Sequence, residues 1–154
     1  MRDFFVSRRY WFGLMVLLAL ALTSAGAVDL DSTAVVYQQP NQIKWTGMPG
    51  VAETAVLHGD PMKPGLYIEL VKWYPHHMSH PHYHPNDRYI TVLSGTWWVG
   101  TGTKFDPDST VPMPAGSYVT DIAKGIHYDG AKDETAVIEI VGEGPATMTP
   151  AEVK

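Results

Sequence analysis

The stretch Ser79-His80-Pro81-His82-Tyr83-His84-Pro85-Asn86-Asp87-Arg88-Tyr89-Ile90-Thr91-Val92-Leu93-Ser94-Gly95 carries both the chemistry and the architecture of this chain. Three imidazoles alternate at its start. On an extended strand, residues i and i+2 face the same way, so two such rings can converge on one ion at bond lengths of about 2.0–2.1 Å. A third ligand from a facing strand completes a three-sided cap and leaves positions open for water or substrate, as a reactive metal needs. The alternative is a His-rich surface loop kept irregular by Pro81 and Pro85. Spacing alone leaves the two readings level. Downstream, Tyr89–Leu93 reads as a strand, Ser94-Gly95 as a tight turn and Thr96-Trp97-Trp98-Val99 as the return arm of a hairpin.

The same β signature recurs on both sides. Gly65–Tyr74 is rich in β-branched and aromatic residues and ends at Pro75. Ser117–Thr120 follows a Pro114-Ala115-Gly116 turn, and Thr135–Val141 is closed by Gly142. No segment sustains a helical period. Short strands at this spacing predict a sandwich or barrel. Residues 28–42 read as a loose arm, 43–146 as the barrel and 147–154 as a loose tail. Trp97 and Trp98 are neighbours, so one faces the barrel and one the outside.

The histidine stretch resembles the first motif of the cupin superfamily: His-x-His, three or four residues, a glutamate, six residues, then glycine. Here it runs His82-Tyr83-His84, Pro85-Asn86-Asp87, Arg88 and, after six intervening residues, Gly95. The second motif, Pro-x-Gly followed by a histidine, is similar to Pro114-Ala115-Gly116 and His127, with a longer gap than in its short form. His58-Gly59-Asp60-Pro61-Met62-Lys63-Pro64-Gly65 and Gly142-Glu143-Gly144-Pro145 resemble the lead-in and exit of small secreted cupins, so the likeness spans about residues 45 to 146. It implies an all-β, double-stranded β-helix (jelly-roll) barrel with the metal between its sheets. It also implies His82, His84 and His127 as ligands to one divalent ion. Fe(II) is favoured, because similar three-histidine cupins use it to add dioxygen to a chelated substrate; imidazole suits Zn(II) and Mn(II) as well.

One departure matters. The family's glutamate ligand falls on Arg88, which stays protonated and has no lone pair to offer. Asp87 is adjacent, but one step along a strand turns a side chain to the other face, so only a bulge brings it in. If Arg88 points inward, it adds positive charge and suits an anionic ligand, gripping a carboxylate with its fork. The alternatives are that it turns to solvent or pairs with a nearby acid. His80 shares the parity of His82 and His84 and is a candidate outer donor or proton shuttle. Tyr83 and Tyr128 have outward parity. Asp121, Asp129 and Glu139 are acids with no partner visible from spacing.

The N-terminus belongs to a separate argument. Arg2, Arg8 and Arg9 precede the apolar run Trp11–Leu22 and the small-residue string Ser24-Ala25-Gly26-Ala27, the pattern of a secretory signal peptide cut after Ala27. Ser7-Arg8-Arg9-Tyr10-Trp11-Phe12 also resembles a twin-arginine signal, so both export routes stay open. Cleavage leaves 127 of the 154 residues, one domain's worth, and takes the formal net charge from −5 to −7. An acidic protein of this kind is a poor partner for nucleic acid or anionic membrane. There is no cysteine, so disulfides, thiolate nucleophiles and Cys-type zinc sites are excluded.

Two function classes follow. One is an exported (periplasmic or secreted) metalloenzyme, an Fe(II)-type dioxygenase or else a lyase or isomerase, acting on a small anionic molecule with Arg88 and His80 as candidate catalytic residues. The other is a non-catalytic module binding a metal or small ligand. The cupin resemblance adds a homodimer paired through its sheets.

Overall fold

In a computed structural model, which describes residues 29–153, the chain divides into two units, residues 1–37 and 38–154. The described part of the first is Asp29–Tyr37, where Asp31 closes a turn by accepting from the Thr33 amide and hydroxyl. The signal sequence expected over residues 1–27 lies outside the described residues. Among the described residues, no helix is long and apolar enough to cross a membrane.

Strands build the second unit: β1 Thr46–Met48, β2 Ala52–His58, β3 Gly65–Trp73, β4 His77–Met78, β5 His82–Tyr83, β6 Arg88–Ser94, β7 Thr96–Thr101, β8 Val111–Pro114, β9 Tyr118–Asp121, β10 His127–Ala131, β11 Ala136–Gly144 and β12 Thr149–Pro150. They form two six-stranded sheets. One runs β1-β2-β3-β11-β6-β9; the other runs β12-β5-β10-β7-β8, with β4 beside β10. The architecture is the double-sheet jelly roll that the turn-punctuated strands imply. Strand β11 shows why it forms: Ala136, Ile138 and Ile140 are buried, while Val137, Glu139 and Val141 between them are half-exposed. That period of two delivers one apolar face to the space between the sheets. There Tyr67, Ile90, Val92, Trp97 and Ala131 complete the core, each buried aliphatic such as Ile90 contributing about 1.5–3 kcal/mol.

Two expectations are corrected. β6 and β7 do not form a hairpin: β6 pairs with β11 and β9, whereas β7 pairs with β10 and β8 in the other sheet. Only Gly95 separates the two strands, fewer than the two residues a tight hairpin loop requires. The turn is therefore a corner between sheets. Gly95 makes it at φ 69°, and a Cβ there would fall on the Thr135 carbonyl oxygen. The residues after Ala146 are not loose either. Thr149 and Pro150 pair with Tyr83 and His82, so this segment is laid along the strand that carries the first histidine.

Candidate metal centre

The register of β10 against β5 sets His127 directly opposite His82, and His84 follows two residues on. All three side chains are buried. The His82 ring centroid lies 4.5 Å from that of His127 and 5.0 Å from that of His84, and the His84 and His127 centroids are 5.5 Å apart. One ring nitrogen from each comes within 4.8 Å of the others. The protein also sets which nitrogen is free. His82 Nδ1 lies 2.7 Å from the His80 carbonyl oxygen, His127 Nδ1 3.0 Å from that of Gly125, and His84 Nδ1 3.1 Å from that of Thr147. A carbonyl only accepts, so each Nδ1 carries the proton and each Nε2 keeps its lone pair. This is the outer hydrogen bonding that metal-binding imidazoles require.

Protonation agrees with that reading. Burial, followed by the charge of Arg88 and the neighbouring imidazoles, pushes His84 down to about 3. Burial is also the leading cause of the lowered pKa of His82. Both rings are neutral at pH 7, as a ligand must be. His84 Nε2 is buried with no hydrogen-bond partner, a lone pair with nothing to receive. The donor set fits a divalent ion.

Arg88, at the start of β6, points inward and is paired. It faces Asp121 of β9 in the ladder, and its Nη2 donates to Asp121 Oδ2 at 2.5 Å. The same Nη2 lies 3.4 Å from His127 Nε2, as does Asp121 Oδ2. Arg88 Nε is buried and has no partner. Asp129, two residues after His127 on β10, turns to the same face. Its Oδ1 accepts from Trp97 Nε1 at 3.1 Å, its Oδ2 accepts from Ser79 Oγ at 3.3 Å, and Oδ2 is 3.9 Å from His127 Nε2. Both acids looked unpartnered in the sequence because their partners are set by strand register.

His80 borders the cavity beside the triad but does not join the three rings. Pro81 interrupts the extended run and β5 begins only at His82, so parity does not extend back to it. Its side chain is 66% exposed, 3.0 Å from Glu152 and stacked on Phe105. Asp87 lies off the triad and accepts from the Ala123 amide at 2.7 Å. Trp97 is the inward tryptophan; Trp98 carries Lys132 Nζ over its ring at 4.0 Å. Tyr128 faces away from the triad, as its parity requires, and its hydroxyl donates to the Asp106 carbonyl at 2.9 Å.

A cavity of about 520 Å³ opens onto His82, His84 and Arg88, with Val71, Ile138 and Met148 among its apolar walls. Glu69 lines it too. Burial raises its pKa, against the opposing pull of the Arg88 charge. Sequence reading passed over Glu69, yet the β3 alternation Tyr67, Glu69, Val71, Trp73 was a signal for it. Trp73 Nε1 is buried without a partner in the same wall.

No family model matches the chain, and no curated protein matches it. Solved structures do. The chain has the cupin fold, a double-stranded β-helix, with three buried histidines that could hold a metal ion. The polyketide cyclase RemF from Streptomyces resistomycificus is similar over 78% of this chain and 87% of its own, with TM-score 0.63 and 16% identity. A cupin-2 domain protein from Rhodospirillum rubrum covers 78% of this chain and 80% of its own, at TM-score 0.58 and 13% identity. An RmlC-like cupin from Shewanella frigidimarina covers 71% and 91%, at TM-score 0.56 and 13% identity. At such identities the likeness speaks for the fold, and function is argued from the site.

Proposed function

We propose that this chain is an exported metalloenzyme that holds one divalent ion with His82, His84 and His127 and acts on a small anionic molecule bound in the adjoining cavity. The observation that carries the reading is the set of three lone pairs: each Nδ1 is spent on a backbone carbonyl, so each Nε2 is left to the ion. RemF, of similar fold, is itself an enzyme. Fe(II) is the favoured ion, with Zn(II) and Mn(II) next, and dioxygen addition the favoured reaction. The ion would supply Lewis acidity and, as iron, access to dioxygen chemistry. The residues supply the rest. The apolar walls exclude water, the free Nε of Arg88 offers a donor to an anion, and Glu69 stands in the cavity as a proton-exchanging group.

A second reading has support of its own. Arg88 Nη2 stands 3.4 Å from His127 Nε2 and competes for a ligand lone pair, which suits a module that binds a metal or small ligand without turnover. Metal analysis of protein purified without added metal, for wild type and His84→Ala, comes first. Stoichiometric iron that vanishes in the variant, with oxygen uptake on chelating carboxylic acids, is the result expected. Bound metal with no turnover across a broad acid screen favours the binder. Wild-type protein that takes up no metal under any condition removes the proposal.

Export belongs to the same proposal, and its check is a periplasmic or secreted protein whose N-terminus by mass spectrometry is Val28. A homodimer is proposed through the outer face of the first sheet, where Tyr89, Leu93 and Tyr118 are exposed. Light scattering that gives a monomer mass at micromolar concentration refutes it.

A further inference from the structure

We infer that Glu69, on the β3 wall of the cavity, binds a hydroxyl group of the substrate and so selects acids that carry such a hydroxyl over their counterparts without one. This rests on the reading that His82, His84 and His127 hold a divalent ion beside a cavity for a small acid. β3 turns Glu69 inward by the same alternation that buries Tyr67, and the residue lines the cavity with Val71 and Trp73. The other acids near the triad are occupied: Asp121 is held by Arg88, and Asp129 by Trp97 and Ser79. Among the described residues Glu69 makes no hydrogen bond and no ion pair; what acts on it is burial and then the charge of Arg88. A polar group drawn out of water without a partner is destabilising, and an apolar side chain of similar size would serve this wall better. The partner of Glu69 is therefore to be sought in what fills the cavity.

Strand register says what shape that partner has. Glu69 is opposite Ile140 in the β3–β11 ladder, Ile140 is opposite Ile90 in the β11–β6 ladder, and Arg88 lies two residues before Ile90 on the same face. Glu69 and Arg88 thus rise from one face of the sheet, two strands and two residues apart, about 12 Å between Cα atoms at the usual strand spacing and rise. They do not pair with each other, since Arg88 is taken by Asp121. Ile138 and Ile140, on the strand between, supply apolar wall. The cavity of about 520 Å³ therefore has a cationic pole at the triad and Arg88, an apolar stretch, and an acceptor on β3, which suits a small organic acid whose hydroxyl is set off from its carboxylate by an apolar body. The carboxylate goes to the ion and the hydroxyl donates to Glu69. An ionised carboxylate accepts that bond, and the carbonyl oxygen of a protonated carboxyl group accepts it too, so recognition does not hang on the charge state of Glu69.

Matched acids are the probes: benzoate, phenylacetate and cinnamate, each against its para-hydroxy derivative. They are titrated calorimetrically into Zn(II)-loaded wild type, Glu69→Gln and Glu69→Leu, with Zn(II) affinity and a thermal melt measured for each protein. In at least one pair the hydroxylated acid is expected to bind wild type about tenfold tighter or more. Glu69→Leu is expected to abolish or reverse that preference while binding the plain acid at least as well, and to melt no lower than wild type because the unpaired carboxyl group is gone. Glu69→Gln keeps a carbonyl acceptor and is expected to retain part of the preference. Wild type that fails to distinguish the members of any pair, or Glu69→Leu that weakens both members alike, overturns the inference and leaves the metal centre standing. Zn(II)-loaded wild type that binds none of these acids does the same. If Glu69→Leu does not fold, Glu69→Ala takes its place under the same criterion. Wild-type protein that takes up no Zn(II) removes the centre, and the inference with it.

Discussion

Ending the chain at Ala146 should loosen the metal centre from a distance. The deletion removes the Thr147 carbonyl that receives His84 Nδ1 at 3.1 Å, along with the pairing of β12 on β5. It also removes the Ala151 amide bond to Pro81 at 2.8 Å and that of Val153 to Thr103 at 3.0 Å. At a net worth of about 1 kcal/mol for each of the three bonds named by distance, roughly 3 kcal/mol of stability is lost. For a domain of this size each kcal/mol moves the melting temperature by about 3–6 °C, so the midpoint should fall by about 10–15 °C. His82 and His127 keep their tautomers, because their acceptors are the carbonyls two residues before them. His84 loses its acceptor, and loss of an outer partner weakens metal binding about 10- to 100-fold. Circular dichroism melts and calorimetric titration of Zn(II) into chelator-treated protein measure both effects. Glu152→Gln is the control: its pair with His80 is exposed, worth about 0–1 kcal/mol, and its loss should shift neither. A truncated protein that binds Zn(II) within twofold of full length would refute the tautomer argument, whatever its melting temperature.

Acid should unfold the metal-free protein early. His84 has a folded pKa of about 3 against an ordinary imidazole value of 6.5, so between those values the unfolded chain binds the extra proton and stability falls as pH falls; urea midpoints that stay level from pH 7 to pH 4 contradict this. Asp121→Ala, which leaves the Arg88 guanidinium buried and alone, should cost about 3–5 kcal/mol in denaturant unfolding, while the apolar double variant Arg88→Met/Asp121→Leu recovers most of it; a double variant no better than the single one argues against the pair. The Tyr67 hydroxyl is buried without a partner, so Tyr67→Phe should raise stability by about 1 kcal/mol, and a drop in the urea midpoint would mean that the hydroxyl is bonded after all.

What could be read in advance was what depends on alternation. The parity of His82 and His84, of Trp97 and Trp98, and of Tyr67 through Trp73 follows from the period of a strand, and the structure keeps it wherever the strand is regular. At His80 parity is no guide, because Pro81 breaks the strand before it reaches that residue, and the largely exposed ring sits at the edge of the cavity. The hairpin at Ser94-Gly95 failed for a different reason. A turn signal shows that the chain bends, but it does not show which sheet receives the next strand, and in a jelly roll successive strands can cross between sheets. The loose tail failed because Thr149 and Pro150 gain their order from β5, far away in sequence.

Register between distant strands explains the rest of the site. Nothing in the separation of residues 88 and 121 announces a pair; it exists because β6 and β9 run antiparallel with those two residues opposed. Placed there, the arginine at the glutamate position is not an unpaired charge beside the histidines: the carboxylate opposite it in the ladder meets it, and both are buried. That is why removing Asp121 alone should cost far more than replacing the two together.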